Sequence, residues 1–389
     1  MAACIQPSSL IAAAHPLSAP LALPAAQSAQ ISAFRTTFPH IVSPSALPAL
    51  SPSAQARAPF RGGYRHRIGA VPARATAVRA VENAEQPAAG GGDPALAAAA
   101  WEALKSVRET RPLVHCITNF VSMDAAANTL LAAGAAPAMV HSLEEVEEFA
   151  SLASALYVNI GTLSPDWVDS MKRAAKVVSA RNRPWVLDPV GCGATSYRTK
   201  TSTELLSLRP TVVRGNASEV LALAGAVSAT TRGVDSTVAS TAAVAAAQRL
   251  AAASGAVVAV SGATDFITDG STVLACGNGM PLLQAITATG CSVTALIAAF
   301  VAAAAADAAA TDAASESSSS LLSSSGVSVS SPLLATACAL AIYGLAAEVA
   351  SVAAGVQGPG SLRVGLMDAL YSLQEEQILQ GVRLNIISS

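Results

Sequence analysis

LVHCITNFVSMDAAANTLLAAGAAPAMVHSLEEVEEFASLASALYVNIG, residues 113–161, places a short β-prone run, LVHCIT (113–118), before an alanine-rich helical stretch around Ala125–Ala133. A second run, PAMVHS (137–142), leads into another helical stretch, Leu143–Ala153, and ALYVNIG (155–161) begins the cycle again. Strand and helix alternating in this way predict parallel strands joined by helical crossovers, since a parallel neighbour is reached only by crossing a face of the sheet.

The pattern runs on through a helix after Pro165, WVLDPV (185–190), TVVRG (211–215), a long helix from Asp235 to Ala253 and VVAVSG (257–262). The expectation is an α/β fold with a mostly parallel central sheet flanked by helices. DFITDG (265–270) and STVLACGN (271–278) read as a hairpin or two edge strands around Asp269-Gly270, and from Cys291 onward the chain turns helical. Two apolar stretches, Val293–Ala306 and Leu333–Ala347, rely on alanine and are followed by Asp307 and Glu348, so they read as buried core helices and not as membrane spans. Ala303–Pro332 contains ESSSSLLSSSGVSVSS, too poor in large apolar groups to pack, and is expected to be a disordered low-complexity loop over 303–332.

The chain divides by composition near its start. Residues 1–81 carry seven arginines and no acidic residue, the first being Glu82, amid abundant Ser, Ala and Pro. That is the composition of an organellar transit peptide, and its uncharged, Ser/Ala-rich beginning favours the plastid stroma over the mitochondrion. Residues 82–96 read as a linker, Gly-rich from Glu82 to Gly92, leaving a folded domain over 97–380.

A formal net charge of −2 with only 4% aromatic residues offers no basic, aromatic-lined surface for nucleic acid. A small-molecule partner fits better, with neither nucleic acid nor membrane expected. The six cysteines show no CxxC and no metal-ligand spacing with His115 and His141, which disfavours a zinc site.

Chemistry concentrates in three segments at strand ends or helix starts, where open α/β sheets bind ligands. In DPVGCGAT (188–195), Asp188 ends an apolar strand and the glycines let backbone approach a ligand, although an Asp-Pro turn alone would read the same. In RGNASE (214–219), Arg214 could clamp nucleotide phosphates, while Asn216 and Glu219 stand three apart, as a capping-box variant or with Glu219 beside a hydrated Mg²⁺. In ITATGCSVTALIAAF (286–300) a Thr/Gly turn opens a helix, so the amides of Thr289, Gly290 and Cys291 are left to hold an anion. A thiol there, Cys291, is expected to have a lowered pKa, unless it is simply a small buried hydrophobe. Ser261, close to Asp265 and Asp269, is a further nucleotide candidate.

HCITNF (115–120), GAAPAMV (134–140), NIGTL (159–163), LDPVGCGAT (187–195), RGNASE (214–219), RGVDS (232–236), VAVSG (258–262) and TATGC (287–291) together resemble the hydroxyethylthiazole kinases, a branch of the ribokinase-like superfamily, over roughly residues 97–375. The resemblance implies a three-layer ribokinase-like sandwich, a homotrimer with the thiazole pocket between subunits, and ATP at the strand ends. It implies ATP- and Mg²⁺-dependent phosphorylation of 4-methyl-5-(2-hydroxyethyl)thiazole in thiamine biosynthesis or salvage. Carried onto matching positions, it makes Cys291, Asp188 and Gly290 catalytic, and gives Arg214, Ser261, Asn216 and Thr289 to ATP. Met139, Ala288 and Asn119 fall to the thiazole, Glu219 and Asp188 to the metal. Two departures stand out: Ala288 where glycine is usual, and Cys192 where a small residue is usual. The alternatives are a dehydratase repairing hydrated nicotinamide cofactors, another vitamin kinase of this fold, or a non-catalytic thiazole-binding protein.

Overall fold

The computed structural model describes residues 91–227, 239–314 and 330–388. The expected transit segment 1–81, the start of the helix expected from Asp235, the RGVDS motif and the serine-rich part of the expected loop lie outside the described residues.

Five strands and their crossovers come first: β1 (Leu113–Ile117), α2 (Met123–Ala133), β2 (Ala136–Ala138), α3 (Val146–Leu152), β3 (Ala155–Asn159), α4 (Pro165–Ala180), β4 (Trp185–Asp188), α5 (Ser196–Leu206) and β5 (Val212–Asn216). Before them stands α1 (Pro94–Thr110). After them come α6 (Ala217–Val227), α7 (Ala239–Ser254), β6 (Val257–Ser261), β7 (Asp265–Thr268), β8 (Val273–Cys276) and a 3₁₀ turn at Pro281–Ala285. The chain closes with α8 (Thr289–Ala314), α9 (Pro332–Ser351), α10 (Pro359–Ser372), α11 (Glu375–Gly381) and β9 (Leu384–Ser388).

The strands form one sheet in the order β2-β1-β3-β4-β5-β6-β7-β8-β9, parallel from β2 to β6 and antiparallel beyond. Its two faces follow from the period of two along a strand. Ala155 and Tyr157 of β3 enter one core, under α1, α2 and α8 to α11, while Leu156 and Val158 enter the other, under α3 to α7. Val257 and Ala259 of β6 divide from Val258 and Val260 in the same way. Three layers result, the α/β sandwich expected from the sequence.

The two long apolar helices are core helices as expected. By length and composition both could cross a membrane, yet 89% of the window in Pro332–Ser351 is buried inside the molecule. Burial of Leu296, Ile297, Phe300, Leu340 and Ile342 against the sheet accounts for their apolarity without a bilayer.

Three boundaries differ from expectation. The linker expected over 82–96 already contains the start of α1, because Asp93 caps the helix by accepting from Ala95 N at 2.8 Å and Pro94 supplies its first turn. The loop expected over 303–332 begins later, since α8 continues to Ala314 with Ala303 and Ala304 buried, and Pro332 already opens α9. Alanine is the best helix former, so an alanine tract prolongs a helix whose first half is anchored in the core. The folded unit also runs past residue 380: β9 pairs with β8 and holds the residue that caps α1 through Asp93 N to Leu384 O at 2.9 Å. The β7–β8 hairpin is therefore covered on both sides and is not an edge.

Candidate active site

Reversal of direction in the sheet places the site. From β1 the chain steps outward to β2 and then returns to β3 on the other side, so a crevice opens at the carboxyl ends of β1 and β3. The register sets polar residues there in pairs, Asn159 beside Asp188 and Asn216 beside Ser261. Across the mouth lies the start of α8, which packs over β1, β3 and β4.

On the β3–β4 side the polar groups satisfy one another. Asn119 Nδ2 donates to Asn159 Oδ1 at 2.8 Å and lies 3.5 Å from Cys291 Sγ. Asn159 Nδ2 has Asp188 Oδ2 at 2.8 Å, Tyr157 OH at 2.9 Å and Cys291 Sγ at 3.3 Å for its two hydrogens. The Thr294 hydroxyl lies 2.9 Å from Asp188 Oδ2 and 2.8 Å from the Gly290 carbonyl, donating to one at a time. Buried polar groups need such partners.

These surroundings set the titrations. Burial pushes the Asp188 carboxyl up to about 7, helped by the Glu219 carboxylate and opposed by Arg214 and the bonds from Thr294 and Asn159. Burial and then the Asp188 charge also push the Cys291 thiol up, contrary to the lowering expected at a helix start. With two asparagine amides on its sulfur and its pKa raised, Cys291 stays a neutral thiol at neutral pH.

The β5–β6 side is different. Asn216 Oδ1 accepts from Glu219 N at 2.9 Å and Glu219 Oε2 accepts from Asn216 N at 2.9 Å, so the capping box is formed in both directions. Glu219 also reaches across the crevice, its Oε1 accepting from Gly191 N at 2.8 Å. Cap and crossing contact coexist in one carboxylate. Arg214 Nε and Ser261 Oγ are buried with no hydrogen-bond partner among the described residues. Asp265, which accepts from Gly262 N at 2.9 Å, is pushed up to about 6 by burial, with that bond and Arg214 opposing.

The two sides meet at Gly290. A Cβ there would lie 2.7 Å from Arg214 Nη1, so only glycine lets the guanidinium rest on the first turn of α8. The helix's first backbone bond to the preceding turn runs from Ser292 N to Ala288 O at 2.8 Å, leaving the amides of Thr289, Gly290 and Cys291 without an i−4 partner inside the helix. Ala288 carries φ +66°, a left-handed conformation that costs an alanine what a glycine would not feel.

The structure thus brings together Asn119, Asp188, Cys291, Gly290, Arg214 and Glu219, with Asn216 and Ser261 adjoining. Thr289 presents only its amide, because its hydroxyl turns back to the Leu283 and Ile286 carbonyls, 3.3 Å from each. Met139 follows the edge strand β2, half-buried against the first core, outside this hydrogen-bonded set. Sequence reasoning missed Asn159, Thr294 and Asp265. A polar residue ending the apolar ALYVN run was the signal for Asn159, the same signal that marked Asp188. No cluster of three or more His, Cys, Asp or Glu able to hold a metal occurs among the described residues.

Residues 104–320 match the family model described as the hydroxyethylthiazole kinase family. A hydroxyethylthiazole kinase of Zea mays is 53% identical over 290 residues, spanning 74% of this chain and 93% of the relative. One from Cereibacter sphaeroides is 50% identical over 281 residues, spanning 72% and 96%. The structure of the hydroxyethylthiazole kinase protein from Pyrococcus horikoshii OT3 superposes with a TM-score of 0.62 at 40% identity, covering 74% of this chain and 99% of that one.

Proposed function

The chain belongs to the hydroxyethylthiazole kinase family, and from that premise we propose that it transfers the γ-phosphoryl group of ATP to the primary alcohol of 4-methyl-5-(2-hydroxyethyl)thiazole, a step of thiamine biosynthesis or salvage. One observation carries the assignment: Arg214 packs on Gly290 at the start of α8, in the same crevice as the Asp188–Asn159–Cys291 network. Phosphoryl transfer has a loose transition state, so the protein's task is to position two oxygens in line and neutralise charge.

ATP occupies the β5–β6 side. Arg214 Nε and Ser261 Oγ, buried and unpartnered among the described residues, suit phosphate and nucleotide oxygens, and Asn216 and the Thr289 amide flank them. Amides of Gly290 and Cys291 stabilise the charge on the transferred group. Mg²⁺ fits Glu219 and Asp188: two hard carboxylates, close enough for one to raise the other's pKa, suffice for an ion that keeps phosphate and water ligands. Bound there, it would neutralise phosphate charge.

The alcohol occupies the β1–β3 side, with Asn119, Met139 and the Ala288 backbone about the thiazole. Cys291, a neutral thiol, orients the hydroxyl by hydrogen bonding, and the Asp188 carboxylate, held in place by Asn159 and Thr294, receives the proton directly from the alcohol. Phe120 and Val121, 68% and 61% exposed beside Asn119, support a trimer in which a neighbouring subunit covers the pocket. The acid-free, arginine-bearing segment 1–81 supports import into the plastid stroma.

The test is ADP release by purified protein with hydroxyethylthiazole, against pyridoxal and hydrated NADH. Turnover with the thiazole alone is expected, and preference for either competitor would overturn the assignment. Sedimentation tests the trimer, and a fluorescent fusion of residues 1–81 tests the plastid.

A further inference from the structure

The mechanism above leaves the half-buried Arg198 unused. Arg198, in the first turn of α5, donates from Nη1 to the Ile160 and Val190 carbonyls and from Nη2 to the Gly161 carbonyl, each at 2.8 Å. Ile160 and Gly161 follow β3, and Val190 follows β4. The guanidinium therefore bridges the loops that leave β3 and β4, just beyond the last rung between them, Ile160 N to Asp188 O at 3.3 Å.

We propose that Arg198 is a positioning residue that holds the alcohol side and the metal side of the crevice in one fixed relation. Gly161, whose carbonyl it binds, donates its own amide to Asn159 Oδ1 at 2.9 Å. It also packs so closely on Asn119 that a Cβ would lie 2.6 Å from Asn119 Nδ2. Gly191, next after Val190, donates to Glu219 Oε1 at 2.8 Å. One planar cation thus sets the backbone beneath the Asn119–Asn159–Cys291 contacts and, at the same time, the amide that aims Glu219. Its own placement is fixed by Arg198 N to Thr195 Oγ1 at 3.2 Å and by Ser202 Oγ donating to its carbonyl at 2.8 Å. Lysine cannot replace it, since a single ammonium on a flexible stem lacks the rigid fork that reaches three carbonyls. Arg198 binds neither reactant; it acts through Asn119, Cys291 and Glu219, and so rests on the roles proposed for them.

Steady-state kinetics of the full chain with ATP, hydroxyethylthiazole and Mg²⁺ test this in Arg198→Lys and Arg198→Ala. A misplacement of about 1 Å costs roughly 100-fold in rate, so kcat is expected to fall by that order in both, with each KM moving less than about tenfold. Free guanidinium ion, at a concentration harmless to the wild type, should restore part of the Arg198→Ala turnover and none of the Arg198→Lys turnover. The proposal is overturned if Arg198→Ala keeps kcat within about twofold, or if its loss follows the folded fraction by circular dichroism with no guanidinium rescue. Glu219→Gln, run alongside, separates the two levels. Wild-type turnover in Glu219→Gln sinks the metal assignment, whereas a slow Glu219→Gln beside an unimpaired Arg198→Ala sinks only the bridging role of Arg198.

Discussion

The two sides of the crevice are built from the same kind of strand end, yet they finish in opposite states. Beside β3 and β4, Asn119, Asn159, Asp188, Thr294 and Cys291 bond to one another. Beside β5 and β6, Arg214 Nε and Ser261 Oγ are buried with nothing to bond among the described residues. An unmade buried hydrogen bond costs about 1–3 kcal/mol, so the second side carries a penalty that an anionic, oxygen-rich ligand removes. On the function proposed above, the first side, organised in advance, governs the chemical step, and the second, completed by what binds there, governs affinity.

Substitutions that divide rate from affinity sharpen this contrast. Asp188→Asn should have the largest effect, cutting kcat by roughly 10³ through loss of a positioned proton acceptor. Because the carboxyl of the free enzyme is pushed up to about 7 and acts when ionised, wild-type kcat/KM should rise as pH increases through about 7, a limb that Asp188→Asn lacks. Stability should run the other way. The folded acid holds its proton above its ordinary value of 3.8, so stability is greatest below that value and falls as pH rises to about 7, a slope denaturant titrations of wild type and variant would compare.

Cys291→Ala comes next, with kcat down by about 10² and ATP affinity hardly altered. Unchanged turnover would remove the thiol from the mechanism. Arg214→Gln should reverse that profile: calorimetry should show ATP binding weakened by about 2 kcal/mol, the worth of hydrogen bonds to a charged group, while alcohol binding persists. Equal loss of both ligands would erase the distinction between the sides. The smallest effect belongs to Ala288→Gly, which relieves the left-handed alanine but adds freedom to the unfolded chain. A net stabilisation of about 0.5 kcal/mol should follow, read from the denaturation midpoint.

The strand and helix alternation was legible because burial on two faces writes a short-range period into the chain. Asp188, Arg214, Glu219 and Gly290 were legible too, standing where an apolar run breaks into Gly, Asn or Asp. Arg198 was not. Its role depends on three carbonyls 8 to 38 positions away, which no spacing records. β9 escaped notice because a five-residue strand at the end of a helical region has no periodic context, and its partner β8 lies more than a hundred residues earlier.

From the sequence alone came the layered α/β architecture, the family and the residues that could touch ATP and the alcohol, since side-chain chemistry and local periodicity are properties of the chain itself. Only the folded structure decided that Cys291 is a neutral thiol, that Glu219 caps a helix while spanning the crevice, and that Ala288 is left-handed. Each of these depends on burial and on groups brought close from distant strands, and an electrostatic environment exists only once those groups share a space.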